Sequence, residues 1–135
     1  MKSISRIVTL VGAVMFSSLT FANTCVQSDA AGTWHVYILT VQSAGYYWAR
    51  CKATLDQDGN INISSSNCKV PKITTSFNAT GKLTLDNTCR VTGHVYINGA
   101  DSYITEAWLN NEKDVIAGVG TIYGYNFSLN GIKQP

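Results

Sequence analysis

The sequence predicts an all-β protein, a small antiparallel meander of about eight strands arranged as a barrel or a two-layer sandwich. Three observations carry this. Val, Ile, Thr, Tyr and Trp recur in short runs where apolar and polar positions alternate. Turn-forming residues return every eight to twelve positions along the chain. Beyond residue 22 no stretch keeps the spacing of an amphipathic helix.

The first 22 residues stand apart. Lys2 and Arg6 give a basic start, an apolar run extends from Ile7 to Phe16, and Thr20-Phe21-Ala22 forms a small-residue cleavage site. This is the pattern of a secretory signal peptide, with an apolar run too short to span a bilayer comfortably. Removing residues 1–22 from the 135 leaves 113, enough for one domain with a real core. Residues 23–135 carry eight basic and eight acidic side chains, so the formal +2 of the whole chain vanishes with the leader. Such a balance implies no general attraction to nucleic acid or to an anionic membrane. No later segment is apolar enough to span a bilayer, so a secreted or periplasmic protein is expected.

Within residues 23–135 the alternation predicts strands at 33–41, 45–55, 60–65, 73–78, 82–86, 89–98, 102–110, 114–122 and 124–132. Ser43-Ala44-Gly45, Asp58-Gly59, Asn98-Gly99 and Tyr123-Gly124 supply tight connections. Asn-Gly and Asp-Gly tolerate the positive φ angles of two-residue hairpins, so sequential strands should be antiparallel neighbours.

Side chains on a strand alternate between two faces. In GYYWARC, residues 45–51, the row Tyr47, Ala49, Cys51, continued by Ala53 and Leu55, is small and apolar and should face the interior. Tyr46, Trp48, Arg50 and Lys52 then face out. Val91, Gly93, Val95 and Ile97 should likewise point inward and Arg90, Thr92, His94 and Tyr96 outward, while Tyr125, Phe127 and Leu129 face in. If the two outward rows lie side by side, Tyr46, Trp48, Arg50, Arg90 and Tyr96 form an aromatic-basic patch. Its rings could stack on a sugar or another planar group, and its arginines could hold a polar or anionic one.

Cys25, Cys51, Cys68 and Cys89 all follow the leader, and an even count in an exported chain reads as two disulfides with three possible pairings. Their spacing matches no zinc motif, and His35 and His94 have no ligand-spaced partners, so no metal is expected. Asp56-Gln57-Asp58-Gly59-Asn60 lacks the acidic twelfth residue and glycine placement of a calcium loop and reads as a hairpin turn. No nucleophile, metalloprotease or phosphate-loop motif appears, so neither catalysis nor a cofactor is expected. Glu106, two positions from both Ile104 and Trp108, could be a carboxyl group with a raised pKa. Pairing with a cross-strand Arg or Lys is the plainer expectation.

Gly32-Thr33-Trp34, opening the first long strand, resembles the Gly-x-Trp signature of lipocalins and related barrels. That resemblance implies a Trp closing one barrel end, with a late Arg across it, for which the last strand here offers only Lys133, and an apolar ligand cavity inside. A broader pattern is similar to that of uncharacterised secreted bacterial β-proteins. It comprises Trp48-x-Arg50-Cys51, Gly59, Cys68, Gly81-x-Leu83-x-Leu85, Cys89-x-Val91-x-Gly93 and Gly118, and implies fold and compartment without an activity.

The expectation is an exported, disulfide-stabilised binding module whose patch takes a protein, glycan or small-molecule ligand. The alternatives are an inhibitor or surface-interaction protein acting through end loops or residues 23–31, and a barrel-cavity carrier of a small apolar molecule.

Overall fold

Alternating side chains give this sheet one apolar face, and the sheet buries that face by curling until its last strand meets its first. The computed structural model describes residues 24–135; the expected leader, residues 1–22, lies outside them. A 3₁₀ turn, Gln27–Ala30, precedes nine strands: β1 (Gly32–Gln42), β2 (Gly45–Leu55), β3 (Asn60–Ile61), β4 (Asn67–Lys69), β5 (Phe77–Leu85), β6 (Arg90–Ile97), β7 (Ala100–Leu109), β8 (Val115–Ile122) and β9 (Tyr125–Lys133). All pairings are antiparallel; β1 pairs with β2 and with β9, and consecutive strands from β5 to β9 pair in turn. The short β3 and β4 share one position between β2 and β5. The result is a closed eight-stranded barrel with one extra short strand. Closure removes the unpaired edges that would otherwise template aggregation.

Two elements differ from the sequence expectation. Residues 60–65 do not form one strand. The chain leaves the ladder after Ile61, turns as Ser64 N–H donates to Asn62 Oδ1 at 2.9 Å, and re-enters as β4. Of the strand expected at 73–78 only Phe77 and Asn78 are strand, residues 73–76 being irregular, and these two run on through Gly81 into the segment expected at 82–86 as one strand, β5. Gly81 has φ +135° and its missing Cβ would lie 2.1 Å from the His94 carbonyl oxygen, so it marks a bend inside a strand and not a turn.

The expected inward rows line the core except at their mouth ends, where Tyr47 and Tyr125 are exposed. Cys51, Leu55, Val91, Phe127 and Leu129 are buried, with Trp34, Leu83, Leu85, Ala107, Leu109 and Ile116 from the other strands. On β7 the phase breaks. A bulge between Ile104 and Glu106 leaves both Thr105 and Glu106 exposed, with Ala100, Ser102, Ala107 and Leu109 buried. Glu106 therefore leaves the apolar row. It accepts a hydrogen bond from Trp108 Nε1 at 3.3 Å, and the expected Arg or Lys partner is absent among the described ion pairs.

One end of the barrel is stoppered by residues 24–31. Cys25 bonds to Cys89, and Cys51 bonds to Cys68 directly across the β2–β4 ladder. Gln27 completes the edge of β5, its Nε2 donating to the Leu83 carbonyl at 3.2 Å and its Oε1 accepting from Leu85 N–H at 2.9 Å. Ala30 is buried, and its carbonyl accepts from Trp34 Nε1 at 2.8 Å. Lys133 Nζ donates to the Asp29 carbonyl at 2.9 Å and lies 5.5 Å from the Trp34 ring centroid, within cation–π range. Residues 24–31 are thus built into the base, which removes them as the free inhibitory arm considered from sequence.

Asp29 couples this stopper to pH. Its carboxylate accepts from Lys113 Nζ at 2.6 Å and from Val26 N–H at 2.9 Å, and the Lys113 bond above all holds its pKa below the ordinary value of 3.8. A depressed folded-state pKa adds stability that is present above the unfolded value and is lost as pH falls through the folded one. Asp29→Asn is therefore expected to lower the urea midpoint at pH 7, and the gap from wild type should close as pH drops below about 4. A gap unchanged from pH 7 to pH 2 would exclude this role for the carboxylate.

Candidate binding cavity

The inward row of each strand is set by the two-residue alternation, and closing the barrel brings these rows face to face around a cavity of about 250 Å³. Its lower wall is Ala30, Trp34, Leu55, Ile61, Val91 and Leu109, where the stopper closes it. Its middle is aliphatic, with Val36, Ile38, Ala53, Ala79, Val95 and Leu129, together with the Cys51–Cys68 disulfide. Toward the opposite end the lining includes Thr40, Gln42, Ser102, Tyr47 and Tyr123. Tyr47 is 53% exposed and Tyr123 73%, on the strand ends beside the β1–β2 and β8–β9 hairpins, so the cavity opens there. No Asp, Glu, Lys, Arg or His lies in this lining among the described residues.

The chemistry of such a space is narrow. Apolar walls favour a guest whose own apolar surface leaves water, at about 25 cal/mol per Å² removed. A charged guest would lose hydration without finding a counter-ion. An apolar cavity of about 150 Å³ holds benzene, so this one suits a molecule of roughly ten non-hydrogen atoms.

Of the residues singled out from sequence, Trp48 also borders the cavity, whereas Tyr46, Arg50, Arg90 and Tyr96 lie outside it, on two separate surfaces. Tyr46, Trp48 and Arg50 occupy the outer face of β2, paired with Val41, Leu39 and Tyr37 of β1. Trp48 is 45% exposed, as its parity requires, and with Tyr37, Leu39, Ser128 and Asn130 it borders a shallow outer depression. Arg90 and Tyr96 lie on β6, whose neighbours are β5 and β7. Between β2 and β6 stand β5 and the β3/β4 position, so the five residues do not form the single patch expected. Arg90 Nη2 instead donates to the Thr105 carbonyl at 3.2 Å.

Tyr96 belongs to a different cluster. His94 Nε2 pairs with Asp101 Oδ1, Tyr103 OH donates to Asp101 Oδ2 at 3.1 Å, and Tyr96 OH lies 3.3 Å from His94 Nδ1. The Tyr103 ring stacks on His94 with centroids 4.2 Å apart. Donation to Asp101, with added burial and the carboxylate's charge, raises the Tyr103 phenol pKa above its usual 10.0. The signal for this cluster was in the turn: a two-residue Asn98-Gly99 hairpin necessarily sets Tyr96 opposite Asp101 and His94 opposite Tyr103. Among the described residues no group of three metal-ligating side chains occurs.

Tyr123 shows one local conflict at the mouth. It adopts φ +50° beside Gly124 at φ +79°, a turn in which the first position favours Asn. Tyr123→Asn is expected to raise stability by about 0.5–1 kcal/mol, read from the thermal midpoint. A lowered midpoint would show that the phenol ring contributes packing that outweighs the backbone strain.

The architecture is that of a closed antiparallel barrel, stoppered at one end and open at the other, around an apolar interior. Compared with known proteins, the chain matches no protein-family model, no curated protein and no solved structure.

Proposed function

We propose that this protein binds and carries a small apolar molecule inside its barrel, as an exported module without catalytic activity. The single observation that carries this reading is the 250 Å³ cavity, with apolar walls, a sealed base and one mouth. Guest size and polarity follow from it, and the likeness of Gly32-Thr33-Trp34 to the lipocalin signature leads toward the same reading. Two disulfides fit an oxidising compartment, and among the described residues no helix is long and apolar enough to cross a membrane.

Calorimetric titration with cumene tests this. Cumene has about nine non-hydrogen atoms and fits the volume argument. Wild type should bind it with a negative heat-capacity change. Ala49→Trp, which adds an indole to the cavity wall, should weaken binding at least about tenfold while leaving the circular dichroism spectrum unchanged. No binding by wild type, or undiminished binding by a folded Ala49→Trp, would end the proposal.

A second reading has its own observation. Tyr37, Leu39, Val41, Tyr46 and Trp48 form an exposed apolar ladder on the outer face of β1 and β2, with Arg50 at one end. Such a patch fits a protein or glycan partner. Tyr37→Ala, outside the cavity lining, should weaken binding to that partner at least about tenfold and leave cumene titration unchanged; equal loss of both would remove the distinction.

A further inference from the structure

We infer that the cavity selects an uncharged guest bearing one hydrogen-bonding group, which the buried and unpartnered hydroxyl of Ser102 receives in a mainly apolar wall. This rests on the cavity reading and names the class of molecule it takes.

Ser102 sits on β7 with its side chain pointing into the barrel, between outward-facing Asp101 and Tyr103. It is 3% exposed, and its Oγ has no hydrogen-bond partner among the described residues. The residues opposite it across the ladders are Val95 on β6 and Ile122 on β8, neither with a polar side chain. A buried hydroxyl is normally satisfied, and one without a protein partner calls for an explanation. Ser65 Oγ shares this condition, but it lies in the turn before β4 and not in the cavity lining.

A serine hydroxyl can either donate or accept. It can therefore meet a ketone, ester, ether, alcohol or phenol. It cannot neutralise a carboxylate or an ammonium ion, and the lining supplies no charge that could. A pure hydrocarbon fits the walls but leaves Oγ unpaired. The class that fits is a neutral, mainly apolar molecule of roughly ten non-hydrogen atoms with one oxygen function.

Three compounds of nearly equal shape separate these cases: cumene, acetophenone and benzoate. They are titrated by calorimetry against wild type and Ser102→Ala. Each ligand is compared between the two proteins, so that its own water solubility cancels. Ser102→Ala should weaken acetophenone about tenfold, the effect of one net hydrogen bond, and leave cumene within about twofold. Benzoate at pH 8 should bind at least about a hundredfold more weakly than acetophenone to wild type.

If acetophenone is unaffected by the substitution, or both neutral ligands weaken equally, Ser102 is not the anchor, although the cavity reading stands. If benzoate equals acetophenone, the neutrality claim falls. If none of the three binds wild type, the cavity reading itself has failed. Should Ser102→Ala not fold, Ser102→Val gives the same comparison with a side chain suited to a strand.

Discussion

Trp34→Ala is expected to destabilise the barrel by about 3–5 kcal/mol, the range for deleting a large buried aromatic. Trp34 is only 4% exposed and forms the floor of the cavity. Its removal would deepen an existing space, so the walls have little means of collapsing to recover contacts. Two further interactions end with it: the hydrogen bond from Nε1 to the Ala30 carbonyl and the Lys133 ammonium over the ring. Trp34→Phe separates these contributions. Phenylalanine keeps most of the apolar volume but leaves the Ala30 carbonyl without its donor, so a loss of about 1–3 kcal/mol is expected. Equilibrium urea unfolding measures both variants. A Trp34→Ala loss below about 1 kcal/mol would mean that the base is held by its backbone and disulfide alone.

The same floor shows how far local pattern reaches. Period-two alternation is local, so the interior positions of Cys51, Ala53 and Leu55 and the outward placement of Trp48 could be read without knowing what any strand faced. The Asn98-Gly99 hairpin also fixes its own register. Three features depend on contacts between distant segments and were not legible. Pairing of β1 with β9 closes the sheet, and closure is what sets Arg90 and Tyr96 on a wall apart from Trp48. The bulge at Thr105 shifts the phase of β7 and frees Glu106 from the apolar row, although the sequence there alternates plausibly enough to suggest the opposite. Residues 24–31 carry no strand or helix signal. Their place in the base comes from Cys25 meeting Cys89 and from side-chain bonds to β5 and β9, each reaching more than fifty residues along the chain.

The cavity was legible only as a possibility. An inward row of small residues can mean a tightly packed interior or space for a guest, and the number of strands around the ring decides which. Ala49, Ala53 and Ala79 sit in a ring of eight strand positions, so their small side chains leave room. Ser102 was likewise hidden, because an isolated serine on a strand is commonplace. Its burial opposite Val95 and Ile122 follows only once β6, β7 and β8 are aligned.

Removing the Cys25–Cys89 disulfide by the double substitution Cys25→Ala, Cys89→Ala should cost about 4 kcal/mol, against about 3 kcal/mol for removing Cys51–Cys68 in the same way. The order follows from loop closure in the unfolded chain: the first bond joins residues 64 apart in sequence and the second 17 apart. The native state widens the difference. Cys51 and Cys68 face each other across an existing β ladder, whose backbone bonds persist without the sulfurs. Cys25 has a weaker hold: its N–H donates to the Asn87 carbonyl at 3.3 Å, and the rest of its segment is held through Gln27, Asp29 and Ala30. With the disulfide gone, this stopper should open locally before the barrel unfolds. Hydrogen exchange at Leu85, whose N–H is bonded to Gln27 Oε1, reports that opening directly. Faster exchange at Leu85 is expected in the Cys25/Cys89 variant, with no comparable change in the Cys51/Cys68 variant. If the second variant loses as much stability as the first, or exchange at Leu85 follows global unfolding in both, the base is not a separate unit and the long-range disulfide does no more than the short one.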